Sequence, residues 1–262
     1  MTSKQEQDPI SHAVIGRAME AHSTIGPGLK EPFYHQELSR LLTRDGIEHL
    51  WKPRREFIYR GHVADVFEPD LVVANHLIPE LKSIRGEFAP EHFTQLLTYC
   101  KFWRLRTGML LDFGKPSLLW QRIIYSSKTD SVPEMAVPDF VAHAETANLV
   151  INVVQQCLAD IGLGYPEGTW YGLLTAALSA EQIPFVKTPV VAIKDLGTTE
   201  LKCLVIDQHC AISIGALGTE VSASDRGYLQ TCLRWLDLDW GIAFHFGKSN
   251  FNMRFVSRPQ KS

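Results

Sequence analysis

The strongest constraint on how this chain can fold is that its two halves read as versions of each other. Ile25-Gly26-Pro27-Gly28-Leu29-Lys30-Glu31-Pro32-Phe33-Tyr34 returns 136 residues later as Ile161-Gly162-Leu163-Gly164-Tyr165-Pro166-Glu167-Gly168-Thr169-Trp170. The same offset aligns Leu38 with Leu174, Leu42 with Leu178, Ile47 with Ile183, Pro53 with Pro189 and Gly61 with Gly197. Farther along the offset is 133. Leu71-Val72-Val73 then falls on Leu204-Val205-Ile206, Gly108 on Gly241, and Phe113-Gly114-Lys115 on Phe246-Gly247-Lys248. One deletion of three residues between Gly61 and Asp70 accounts for the change. Such a repeat predicts two units of one architecture, not one large core. The competing reading is two unrelated α/β domains that share glycine punctuation.

The pattern places a first unit at residues 10–125, a linker at 126–145 and a second unit at 146–256. The linker is rich in Ser, Pro, Thr and acid. Each unit, at about 115 residues, is long enough for one modest core. With 45% hydrophobic and 21% charged residues, a disordered or purely solvated chain is excluded. The five cysteines are odd in number and form no CxxC, which argues against a disulfide framework and a zinc ribbon. A reducing cytoplasm is the expected compartment. No apolar run reaches the roughly 18 residues of a membrane helix, and the first residues, MTSKQEQDPISH, lack a signal-like apolar stretch. No membrane partner is expected.

The net charge of −3 opposes a protein that coats nucleic acid, but it averages two different halves. Residues 10–125 carry 15 Lys and Arg against 13 Asp and Glu, and residues 146–256 carry 7 against 10. Lys52, Arg54, Arg55 and Arg60 form a local basic cluster, either a docking patch or a solvated surface.

Within the first unit, helical spacing predicts helices over 10–23, 29–44 and 90–103. A short strand is expected at 56–59 before the Arg60-Gly61 turn. Residues 66–73 and 77–83 read as a hairpin around Ala74-Asn75-His76. Strands follow at 108–113 and 120–125. The order is that of a mixed α/β layer.

The hairpin carries the chemistry. Side chains alternate faces along a strand, so Glu80 and Lys82 share one face and Leu81 the other. A turn with an odd number of residues sets Asp70 opposite Glu80. Two carboxylates and an amine then meet, and such a cluster calls for compensation by a hard divalent cation such as Mg²⁺. The cation can polarise a phosphodiester and acidify a water, while Lys82 orients that water or stabilises negative charge. Judged on spacing alone, the same residues also suit an edge hairpin with ordinary surface charges. HExxH helices, GxxxxGK[ST] loops and GxSxG elbows are absent.

Gly28-x-x-Glu31-x-x-Tyr34 resembles the name-giving motif of the GxxExxY proteins, part of the PD-(D/E)XK nuclease-like superfamily. The resemblance runs through Glu20-Ala21-His22, Gly26-Pro27-Gly28-Leu29, Tyr59-Arg60-Gly61, Asp70-Leu71-Val72-Val73, Glu80-Leu81-Lys82, Gln95-Leu96-Leu97-Thr98-Tyr99 and Phe113-Gly114. It implies two tandem restriction-endonuclease-like units, each a mixed β-sheet flanked by α-helices. The implied metal ligands are Asp70, Glu80 and the carbonyl of Leu81, for Mg²⁺ with Mn²⁺ as a substitute. Lys82 is the implied base or electrostatic partner, Glu31 an additional acid and Gln95 an additional polar residue. The second half departs from the pattern: Cys203, Ser213, Gly215 and Tyr228 stand for Asp70, Glu80, Lys82 and Gln95, and Glu167 alone keeps the place of Glu31. It reads as a degenerate copy kept for packing, pairing or substrate binding, with a thiol or zinc role for Cys203 as the rival.

The expected function is a Mg²⁺-dependent nuclease acting on DNA or RNA, with the first unit catalytic. The alternative is a module on a nuclease fold that binds nucleic acid or protein without turnover. A homo-oligomer fits either.

Overall fold

The structure is a computed structural model that describes residues 8–126, 136–218 and 220–259. Residues 127–135, most of the first half of the expected linker, lie outside the described residues. Contacts divide the chain into two units: Met1–Arg55 with Val66–Ser127, and Glu56–Asp65 with Lys128–Ser262. Residues 56–65, inside the first repeat, pack with the second unit.

The first unit opens with α1 (Pro9–Ile25) and α2 (Glu31–Arg44). Asp8 caps α1 by accepting the Ser11 N–H, and Pro9 fills a first-turn position that has no N–H to satisfy. Val14, Ala18 and Ala21 of α1 and Leu38, Leu41 and Leu42 of α2 recur at helical spacing, and all are buried in one core. Strand β1 (His49–Trp51) follows, then β2 (Arg55–Tyr59), β3 (His62–Phe67), β4 (Leu71–Val73) and β5 (Leu77–Lys82). Helix α3 (Pro90–Trp103) crosses to β6 (Thr107–Asp112), and β7 (Leu119–Ile124) closes the sheet. The strand order is β1-β4-β5-β6-β7. Only β5 and β6 pair in parallel, because only they are joined through a helix. Every residue of β6 is buried, as a strand covered on both faces must be.

The second unit repeats this plan. It comprises α4 (Ala144–Ile161), α5 (Glu167–Ala180), β8 (Phe185–Lys187), β9 (Val190–Ala192), β10 (Thr198–Glu200), β11 (Leu204–Ile206), β12 (Cys210–Ala216), α6 (Ala223–Leu236), β13 (Trp240–Phe246) and β14 (Phe251–Ser257). Its five-stranded sheet runs β8-β11-β12-β13-β14, and β12 and β13 are its parallel pair. The likeness extends to single residues. Tyr34 stacks on Phe113 with ring centroids 4.4 Å apart, and Trp170 stacks on Phe246 at 3.8 Å. Gly108 leaves room for Leu96, whose Cγ would lie 2.7 Å from a Cβ there; at Gly241 a Cβ would meet the Ala211 carbonyl at 2.5 Å, with the equivalent Leu229 next at 3.3 Å. Each unit is thus a mixed sheet flanked by helices. Among the described residues no helix is long and apolar enough to cross a membrane.

Two local expectations differ from the structure. Residues 66–73 are not one strand: Val66 and Phe67 end β3, which pairs with β2, and the chain breaks at Pro69 before β4 begins. Proline has no N–H to give a ladder. Residues 49–51 form an edge strand that the sequence did not announce.

Candidate active site

The glycine-rich turn after α1 aims the first of the candidate residues. Gly28 has φ near 80°, where a side chain would be strained, and its N–H bonds to the Phe113 carbonyl at 3.0 Å. The Tyr34 hydroxyl accepts the Leu29 N–H at 2.9 Å and donates to the Gly26 carbonyl at 2.6 Å. Gly28 and Tyr34 therefore fix the turn that launches α2. Glu31, the first residue of that helix, accepts the Ser83 N–H at 3.2 Å, one residue beyond Lys82. The Ser83 hydroxyl donates back to the Leu29 carbonyl at 2.6 Å. The motif thus ties the α2 start to the end of β5.

The β4–β5 register, Val73 opposite Leu77, carries Asp70 to the position opposite Glu80. The Asp70 N–H points at Glu80 Oε2 at 3.3 Å, and the Leu81 N–H donates to Asp70 Oδ2 at 2.8 Å. Lys82 Nζ reaches Glu80 Oε1 at 3.0 Å and Gln95 Oε1 at 3.5 Å. Gln95 Nε2 in turn donates to the Tyr99 hydroxyl at 3.1 Å. Asp70, Glu80, Lys82 and Gln95 therefore meet in one place, with Leu81 turned into the core and Glu31 bound to the adjoining backbone.

Glu80 is only 3% exposed. Burial, with the Asp70 charge beside it, pushes its carboxyl up to about 7, although Lys82 pulls the other way. The carboxyl therefore holds its proton more readily than an ordinary glutamate does. A divalent cation would displace that proton and relieve the repulsion between the two carboxylates. Among the described residues no group of three or more His, Cys, Asp or Glu side chains could hold a metal ion. The donor set is the sparse one that suits Mg²⁺, which binds through one or two carboxylates and takes its other oxygens from water and substrate phosphate.

Sequence reasoning passed over His35. Its Nε2 lies 3.3 Å from Asp70 Oδ1, its ring stacks over Trp51 with centroids 6.3 Å apart, and it is buried. The signal was present: His35 is one helical turn after Glu31, on the same face of α2. Asp112 was passed over too. It is fully buried at the end of β6, and its Oδ1 accepts the N–H groups of Ile84 and Gly114. It anchors the segment after Lys82. His22, on α1, bonds through Nε2 to the Lys115 carbonyl at 2.8 Å.

The corresponding place in the second unit is differently filled. Cys203 and Cys232 hydrogen-bond to each other; this lowers the Cys232 thiol and raises that of Cys203. Tyr171, at the position of His35, donates to the Cys203 carbonyl at 2.8 Å. The Tyr228 hydroxyl accepts the Lys202 N–H at 2.7 Å. A Cβ on Gly215, the position of Lys82, would come within 2.9 Å of the buried His245 ring.

Residues 8–123 match the family model of the PD-(D/E)XK nuclease superfamily. No curated protein matches the chain. A solved structure titled "Crystal structure of SSO0001" is 16% identical, covers 47% of this chain and 81% of its own, and aligns with a TM-score of 0.28.

Proposed function

With residues 8–123 matched to the PD-(D/E)XK nuclease superfamily, we propose that the first unit is a Mg²⁺-dependent nuclease that hydrolyses phosphodiester bonds of DNA or RNA. The observation that carries this reading is the convergence of Asp70, Glu80 and Lys82 on one face, with Glu80 buried and in contact with the Lys82 amine at 3.0 Å. Asp70, Glu80 and the Leu81 carbonyl would hold the cation, with Mn²⁺ able to replace Mg²⁺. Bound there, it would supply Lewis-acid polarisation of the phosphodiester and acidify a water.

The remaining steps belong to the protein. Glu80 gives up its proton before it binds, so competence rises with pH through about 7. Lys82, held between Glu80 and Gln95, presents a cation where negative charge develops on the phosphate and orients the attacking water. Glu31 fixes the backbone after Lys82 and with it the reach of that amine. The second unit is read as a pseudo-nuclease, since Cys203, Ser213 and Gly215 offer no oxygen cage for a hard cation.

One live site per chain predicts nicking, unless two chains pair. Supercoiled plasmid, single-stranded DNA and RNA are incubated with the protein and Mg²⁺ or Mn²⁺. The expected result is conversion of plasmid to open circles, or cleavage of one single-stranded substrate, lost in Asp70→Ala. No cleavage of any substrate, with Asp70→Ala indistinguishable from wild type in every property, would sink the reading.

A further inference from the structure

The residue that ends the first edge strand separates the two halves as clearly as the acids do. Trp51 ends β1 and pairs with Leu71, the residue after Asp70, and the Lys52 N–H donates to the Asp70 carbonyl at 3.0 Å. In the second half Lys187 ends β8 and pairs with Leu204, and the Thr188 N–H donates to the Cys203 carbonyl at 3.2 Å. Lys52 and Thr188 share a left-handed backbone, with φ of 43° and 47°. The backbone is therefore the same in both halves, and the architecture accepts a lysine where Trp51 stands. The fold does not require the indole.

Its surroundings suit it to a ligand. The ring stacks on His35 with an interplanar angle of 21°, and His35 is the partner of Asp70 Oδ1. His35 is buried, yet Trp51 is 47% exposed. A buried imidazole thus backs a half-open indole, two side chains away from a carboxylate expected to hold the cation. Lys52 and Arg54, both exposed, follow it in the chain. In the second unit Lys187 Nζ lies 5.2 Å from the ring centroid of Tyr171, the counterpart of His35. An ammonium stands there on the ring that, in the first unit, carries the indole. The open aromatic surface is lost together with the acids.

We propose that Trp51 is a stacking platform for an unpaired nucleobase beside the scissile phosphate, so that the Asp70 site takes single-stranded nucleic acid or an unpaired end. Every base has a π-face, so a platform of this kind tolerates any sequence. In a duplex the faces of each base are covered by its neighbours, and a platform this close to the cation therefore selects strands whose bases are free. Lys52 and Arg54 attract the flanking phosphates. The proposal takes its ligand class from the nuclease reading, and its test by binding does not depend on cleavage.

The test uses the full chain and fluorescein-labelled oligothymidylate, oligouridylate, a duplex and an abasic strand, all of one length. Binding is read by anisotropy in EDTA. Wild type is expected to bind one of the two single strands about tenfold or more tighter than the duplex. Trp51→Ala loses about tenfold on that strand and nothing on the duplex, while Trp51→Phe keeps most of the affinity. The abasic strand binds wild type as weakly as the intact strand binds Trp51→Ala, and the two losses do not add. The wild-type comparison of intact and abasic strands keeps the test valid if Trp51→Ala folds poorly. Equal binding of strand and duplex, equal binding of intact and abasic strands, or no binding of any strand overturns the proposal. So does a Trp51→Ala protein that loses Mn²⁺ affinity but binds every strand as wild type does, which marks a structural prop for His35. Cleavage that Asp70→Ala abolishes and Trp51→Ala leaves untouched overturns the platform and keeps the nuclease reading. Strand-selective binding through Trp51 without cleavage supports the platform and counts against the nuclease reading.

Discussion

The first unit sets Asp70, Glu80 and Lys82 on its β4–β5 face; the second sets Cys203, Ser213 and Gly215 on the equivalent face of β11–β12. Around these positions the frame is shared, although Tyr171 and Tyr228 stand where His35 and Gln95 do. The strand order, the parallel pair, the aromatic stack beneath the leading helices and the glycine under the crossing helix are common to both. The comparison teaches that the architecture rests on apolar and glycine positions remote from the polar cluster. The polar cluster is a load on the fold: Glu80 is buried beside another acid, whereas the second unit replaces it with Ser213 and two small thiols that cost less to desolvate.

The sharpest way to break the comparison is to remove the acids. Asp70→Ala/Glu80→Ala is expected to abolish Mn²⁺ binding by calorimetry and to lower any cleavage rate by about a thousandfold or more, while Cys203→Ser/Ser213→Ala leaves both unchanged. A second test addresses packing. Gly172→Ala forces the Ala64 carbonyl away from α5 and is expected to cost about 2–4 kcal/mol in denaturant unfolding. Gln36→Ala, the corresponding change on α2, stays within about 0.5 kcal/mol.

The load itself is measurable through pH. Glu80 has its folded carboxyl raised from 4.5 to about 7, so the native state binds more protons than the unfolded one between those values. Stability of the metal-free protein therefore falls as pH rises through that window. Glu80→Gln removes the fall and is expected to stabilise the metal-free protein at pH 8 by about 1–3 kcal/mol, read from urea midpoints at pH 5 and 8. In the wild type Mn²⁺ affinity falls about tenfold per pH unit below 7. The smallest effect is expected at His35. His35→Ala removes a partner of Asp70 and weakens Mn²⁺ binding about tenfold, whereas Tyr171→Phe leaves it unchanged.

Legibility in the sequence followed the range of the interactions. Helix α3 begins and ends where its apolar spacing and Pro90 put it, because helical periodicity and a first-turn proline are local. The turn at Ala74-Asn75 was equally plain, and both residues adopt the left-handed backbone a tight turn needs. The alternation of strand faces put Glu80 with Lys82 and, through the turn, Asp70 with Glu80, which is the arrangement in the structure. What stayed hidden was non-local. Nothing near residue 66 says that Val66 and Phe67 pair with β2 instead of continuing into β4. Nothing near Tyr59 says that its hydroxyl is spoken for by Asp160. His35 was hidden for another reason: a polar residue on a helix is usually solvated, and only the arrival of Asp70 from a different element makes it part of a site.

The β2–β3 hairpin has a consequence for the order in which the molecule can be completed. Tyr59 and its partner Asp160 are 101 residues apart, and all of the seat that α4 and α5 give this arm follows it in the chain. During synthesis at about 5–20 residues per second the arm leaves the ribosome roughly 5–20 s before the helices that receive it. For that interval its Phe57 and Tyr59 rings lack the Tyr165 and Asp160 side chains they meet in the finished fold. A cut at the apparent linker would make the interval permanent: each fragment would carry either an arm without a seat or a seat without an arm. The covalent midpoint of this chain is not the place where it can be divided.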